Sequence, residues 1–164
     1  MSGASLSQRN IAKLLNVSPT AVGKAIKSLI KDSILKIEKI AIINFIQLNR
    51  ENEYVLELKR VENLKMLYES KLIDFLKNEF TVCTIILFGS YSRGYDVWFK
   101  DSDEKNSDID VAVIGCRKKK IDLTKFEKAL KRKINVNFYK TWKIHENLKE
   151  SLFNGIVLHG SVEL

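Results

Sequence analysis

The sequence has no stretch approaching the ~20 consecutive apolar residues of a membrane span. Its first ten residues, MSGASLSQRN, lack the apolar core of a signal peptide. These two absences set the expectation of a cytoplasmic protein. Cysteine is scarce: Cys83 and Cys116 alone supply neither a disulfide framework nor metal-ligand spacing, and they read as buried or incidental thiols. His145 and His159 are isolated and read as structural. No Walker or kinase-type glycine loop occurs, and no nucleophile constellation is evident.

What is present is enough for globular cores. The 164 residues are 45% apolar and allow one domain or two small ones. The net charge of +8 is uneven, since residues 1–46 hold seven basic side chains against two acidic ones. That surplus of +5 leaves only +3 for the remaining 118 residues, so the N-terminal part is the one suited to a polyanion.

Ser5 to Gln8 fits a capping box, and Ile11, Leu14 and Leu15 follow at helical spacing. Asn16 to Ser18 interrupts the run, and Ser18-Pro19 restarts it with an N-cap serine and a proline in the first helical position. Val22, Ile26, Leu29 and Ile30 form the inner stripe of the second helix. Thr20, Lys24 and Lys27 lie on the opposite face and are the candidate DNA contacts, with the lysines on phosphates. Ile34 to Leu48 is a β-branched run suited to a hairpin. The wording QRNIAKLLNVSPTAVGKAIKSLIKDSILKI resembles the winged helix-turn-helix domains of prokaryotic regulators, which implies double-stranded DNA as a partner. Such domains carry a further helix, too long to fit before Ser5. The expectation is that the helix beyond residue 54, or a second subunit in a homodimer, supplies the missing wall.

Asn49 to Asn52 is polar and marks a boundary. From Tyr54 to Phe80 the apolar residues keep a helical period with a break near Ser70. The expected division is a DNA-binding unit over 1–48, a helical connector over 49–77 and a third unit over 78–164.

That third unit is organised around TVCTIILFGSYSRGYDVWFKDSDEKNSDIDVAVIG, from Thr81 to Gly115. Val82 to Phe88 reads as a buried strand that runs into Gly89-Ser90. Gly89 lets a phosphate approach the main chain. On a second strand, Asp108 to Ile114, the carboxylates of Asp108 and Asp110 project from one face roughly 6–7 Å apart. Mg²⁺ takes oxygen ligands, commonly one or two carboxylates plus substrate phosphates. Further on, Leu123, Phe126 and Leu130 mark a helix, and Ile134 to Tyr139 an alternating strand. A last helix stops at Asn154-Gly155 and leads to a strand, Ile156 to His159. The basic run Arg117 to Lys120 reads as a solvated turn, with a phosphate contact as the other reading.

Gly89-Ser90, Arg93-Gly94 and Ser107-Asp108-Ile109-Asp110 resemble the signature of the DNA polymerase beta nucleotidyltransferase superfamily, in its minimal archaeal and bacterial branch. The resemblance implies an α+β fold with a small mixed sheet flanked by helices. It implies Mg²⁺ on Asp108 and Asp110, which are then the catalytic pair, and ATP or another NTP held by Gly89, Ser90 and Arg93. Minimal-branch members often act as antitoxins on a HEPN-type toxin, which makes such a toxin a candidate partner. A third carboxylate is implied on the neighbouring strand, and that position falls on Asn135, or failing that on Asn137. An amide oxygen can ligate a cation but adds no charge and no base. Seventeen residues separate Ser90 from Asp108, more than the resemblance implies. They include Tyr95, Trp98, Phe99, Asp101, Asp103 and Glu104, read either as a surface flap or as stand-ins for base stacking and the missing ligand. Three functions follow: a nucleotidyltransferase, a DNA-binding regulator with a degenerate transferase domain, and a scaffold without ligands.

Overall fold

The computed structural model describes residues 6–40, 43–98 and 106–162. The chain enters extended, because Leu6 exchanges backbone hydrogen bonds with Ile46 at 3.1 and 2.9 Å. Helix α1 (Gln8–Leu15) therefore starts only after it. Its cap is Ser7, whose Oγ accepts from the Asn10 N–H at 3.3 Å, which corrects the expected capping box; Ser5 lies outside the described residues. Asn16, at φ 53°, takes the left-handed conformation that ends α1. Helix α2 (Pro19–Lys31) then starts with Ser18 as its cap and Pro19 in its first turn. Strands β1 (Leu35–Ile40) and β2 (Ile43–Leu48) pair antiparallel, with the tip of the hairpin outside the described residues.

Ala12, Val22, Ile26 and Ile46 form the buried core of this part, with Ile11, Ile30 and Leu35 packed against it. The hairpin contributes Ile46 and Leu35 to this cluster. Among the described residues, none beyond residue 54 joins that cluster.

Helix α3 (Glu53–Glu69) and helix α4 (Leu72–Glu79) are separated at Ser70, where the sequence predicts a break, with Lys71 left-handed at φ 64°. Four strands follow: β3 (Thr84–Phe88), β4 (Ile109–Ile114), β5 (Ile134–Tyr139) and β6 (Ile156–His159). They lie in the order β5-β4-β3-β6, with β4 parallel to β5 and the other pairs antiparallel. The α+β class with a small mixed sheet and flanking helices is the one expected.

Strand alternation sends residues to two faces. Ile85, Leu87, Ile109, Val111 and Val113 pack against Leu67 of α3, Leu72, Ile73 and Leu76 of α4, and Phe126 and Leu130 of α6 (Thr124–Leu130). Each fully buried leucine or isoleucine contributes roughly 1.5–3 kcal/mol. The helices expected as a connector therefore share one core with the sheet. On the other face Ile86, Phe88, Ala112 and Ile114 meet Leu152 of α7 (Glu146–Phe153). Cys83 and Cys116 flank the far ends of β3 and β4 and are joined as a disulfide, with Cα atoms 5.8 Å apart. This corrects the expectation of unpaired thiols: antiparallel pairing brings together two residues 33 apart in sequence. No helix among the described residues is long and apolar enough to cross a membrane.

Candidate functional site

Strand β3 ends at Phe88 and runs directly into a single helical turn, α5 (Gly89–Ser92). Phe88 pairs with Asp110 across the antiparallel ladder, which sets the bend beside that carboxylate. Gly89 has φ 77°, and a Cβ there would come within 2.6 Å of Asp110 Oδ2. Only glycine fits this position without displacing the acid. Ser90 follows in the same turn and is half-buried, while Arg93 comes just after it and is exposed.

The parallel register pairs Asp110 with Asn135. The Asn135 Nδ2 group donates to Asp108 Oδ2 at 3.0 Å and to Asp110 Oδ1 at 3.2 Å. The two carboxylates thus converge on one face, as their spacing predicts, and an amide lies between them. Of the two asparagines considered for the third position, Asn135 is the one at the site. Asn137 pairs with Ala112, one full alternation deeper along the sheet.

Thr20, Lys24 and Lys27 are exposed on α2, whose Val22 and Ile26 are buried. They form a surface of their own, on a different element from Ser90 and the aspartates.

Of the residues between Ser90 and Asp108, Tyr95 is exposed and Trp98 half-buried, while Phe99, Asp101, Asp103 and Glu104 lie outside the described residues. The sequence reading passed over the residue that anchors this stretch. Asp96 is only 1% exposed. Its carboxylate takes the Lys59 ammonium and the Asn63 amide on Oδ1, the latter at 2.8 Å, and the Arg132 guanidinium on Oδ2 at 2.6 Å. Burial pushes the Lys59 ammonium below its ordinary value, while the bond to Asp96 pulls it upward. Arg50, just after β2, donates to the carbonyl oxygens of Tyr95 and Asp96, both at 2.7 Å. Glycine matters again at Gly94, φ 74°, where a Cβ would lie 2.5 Å from the Leu56 carbonyl oxygen of α3. Tyr91 is buried beneath the Gly89-Ser90 bend, and burial raises its phenol to about 12. No motif announces Asp96, because its partners stand 33 to 37 residues away in the chain.

Among the described residues no group of three or more His, Cys, Asp or Glu side chains is placed to hold a metal ion. Asp108 and Asp110 match a single hard cation that shares its other oxygens with a ligand, whereas Asn135 turns its amide nitrogen, a donor, toward them and offers no ligand oxygen there.

Residues 70–163 match the family model described as Polymerase beta, Nucleotidyltransferase. No curated protein and no solved structure gives a significant match to the chain. With its glycine bend against Asp110 and its paired acids at the start of the adjoining strand, the chain belongs to the polymerase beta nucleotidyltransferase family.

Proposed function

We propose that the chain binds ATP or another NTP as its Mg²⁺ complex and transfers the nucleotidyl group to a hydroxyl on a protein or small molecule. The observation that carries this reading is the apposition of the Gly89 bend and the Asp108/Asp110 pair, with room for a Cβ neither needed nor available between them. Asp108 and Asp110 hold the cation, Ser90 and the Gly89 main chain hold the β- and γ-phosphates, and Arg93 adds a charge-assisted bond. The acceptor oxygen forms a bond to the α-phosphorus as the α–β anhydride breaks, pyrophosphate leaves, and the hydroxyl proton passes to water. Magnesium, when bound, neutralises triphosphate charge. The chain's own contribution is to place the phosphates and the acceptor in line. A HEPN-type toxin is the candidate protein acceptor, which would make the chain an antitoxin. Incubation with α-labelled ATP, Mg²⁺ and candidate acceptors tests the reading. Label transfer that disappears in Asp108→Asn supports it, and transfer that survives that change defeats it.

Asn135 favours a second reading, in which transfer is lost and a nucleotide-responsive regulator remains. The amide between the acids adds neither charge nor base. In this reading α1, α2 and the β1–β2 hairpin act as a winged helix-turn-helix that binds duplex DNA through Thr20, Lys24 and Lys27. These side chains are exposed opposite the buried Val22 and Ile26, in the more basic part of the chain. Replacing both lysines by alanine should weaken DNA binding for all sequences and reduce the salt slope by about two. Anisotropy titrations over a range of salt concentrations measure this, and an unchanged slope assigns the DNA face elsewhere.

A further inference from the structure

Arg132 holds residues that flank the bend and the acids without touching either. Its Nη1 donates to the Ser107 carbonyl oxygen at 2.8 Å, one residue before Asp108, and to the Val97 carbonyl oxygen at 2.9 Å. Its Nη2 is held by the buried Asp96 carboxylate at 2.6 Å. Its guanidinium carbon lies 5.2 Å from the ring centroid of Tyr91, the residue after Ser90. The same residue sits at the entrance to β5, three positions before Asn135, where the Lys133 carbonyl accepts from the Ile109 N–H at 2.9 Å.

We propose that Arg132, anchored by Asp96, is a positioning residue that sets the spacing between the Gly89-Ser90 bend and the Asp108/Asp110 edge. The inference rests on the reading of that edge as a Mg²⁺–nucleotide site. A planar fork with several fixed donors can hold two backbone carbonyls, a carboxylate and a ring face together, whereas an ammonium on a flexible stem cannot. With an 8% exposed side chain, Arg132 is too enclosed to be a phosphate ligand, so its influence must pass through the segments it holds. Arg50 supports the same neck from the outer side, through the Tyr95 and Asp96 carbonyls.

The test is calorimetric titration with ATP, with and without Mg²⁺, well below the unfolding temperature, on the full chain. Arg132→Lys keeps a cation opposite Asp96, so the buried charge is not left bare. It should lower the Mg²⁺-dependent affinity by at least about tenfold, the scale seen when residues supporting a metal ligand are changed. Binding of metal-free ATP should stay as in the wild type, which a general loss of structure would not allow. Arg50→Ala should lower the same affinity about threefold, the scale of one net hydrogen bond. Wild-type Mg²⁺–ATP affinity in both variants overturns the positioning role, as does wild-type affinity in Arg50→Ala where Arg132→Lys does not fold. Absence of Mg²⁺–ATP binding by the wild type overturns the underlying site assignment and this inference with it.

Discussion

Asn135 donates its amide hydrogen to Asp108 at 3.0 Å, so the residue facing the acids is bound to them and not repelled by them. The same amide reaches Asp110 at 3.2 Å, and the site is held together without a cation. An aspartate there would face two like charges, a repulsion that a bound metal or a proton taken up by one of the three would relieve.

Asn135→Asp removes two donated hydrogen bonds and adds a third negative charge. The variant should be less stable than the wild type without metal, by about 1–2 kcal/mol. Added Mg²⁺ should then raise its melting temperature by more than it raises that of the wild type. Thermal unfolding with and without MgCl₂ decides the matter; equal Mg²⁺ responses would show that Asn135 does not occupy a metal-ligand position.

Gly89→Ala tests the bend. Its φ of 77° strains any side chain, and the new methyl would meet Asp110 Oδ2 at 2.6 Å. A cost of about 1–3 kcal/mol in stability is expected from the backbone alone. Mg²⁺–ATP affinity should fall at least about tenfold, because the displaced acid is a proposed ligand. Urea denaturation and calorimetry report the two effects separately, and an affinity that stays intact would remove the bend from the site.

Removal of the Asp96 carboxylate should be the most damaging single truncation among the polar residues. Asp96→Ala leaves Lys59 and Arg132 without their buried counter-charge, and breaking such a pair from one side costs about 3–5 kcal/mol. Asp96→Asn keeps the shape and should cost less. Equilibrium unfolding in urea measures both, and a loss under about 1 kcal/mol for the alanine variant would mean that water replaces the carboxylate.

The path from sequence to site was clear where physics is local. Phe88-Gly89-Ser90 announced a strand ending in a glycine bend, and the spacing of Asp108 and Asp110 announced a shared face. Both are present, because period-two alternation and positive φ are properties of a few adjacent residues. Asn135 was the preferred position in the sequence, but placing it opposite Asp110 needs the β4–β5 register, which no local pattern encodes. The Asp96 cluster was invisible for the same reason: Lys59, Asn63 and Arg132 reach it from α3 and from the turn before β5. Cys83 and Cys116 likewise met only through the β3–β4 pairing. The capping serine shifted from Ser5 to Ser7 because a long-range partner, Ile46, held Leu6 extended.

Tyr91 gives a pH signature of the packed neck. Burial, the largest influence, raises its phenol from 10.0 to about 12, with Asp96 and Glu62 adding to the rise and Arg132 opposing it. The unfolded chain ionises first as pH climbs, so the folded state holds the extra proton between these values. The contribution is fully present below pH 10 and is lost as pH rises from about 10 to 12. Its size is about 2–3 kcal/mol at 1.36 kcal/mol per pH unit, undiminished by solvent because the side chain is buried. Tyr91→Phe keeps the ring under Arg132 and gives up only the 3.3 Å bond to the Asn63 carbonyl oxygen, a cost of at most about 1 kcal/mol at neutral pH. Urea midpoints collected from pH 8 to 12 should therefore cross, with the wild type at most slightly ahead at pH 8 and behind the less steeply declining phenylalanine variant at pH 12. Parallel declines would mean that Tyr91 ionises in the folded protein as readily as in the unfolded chain.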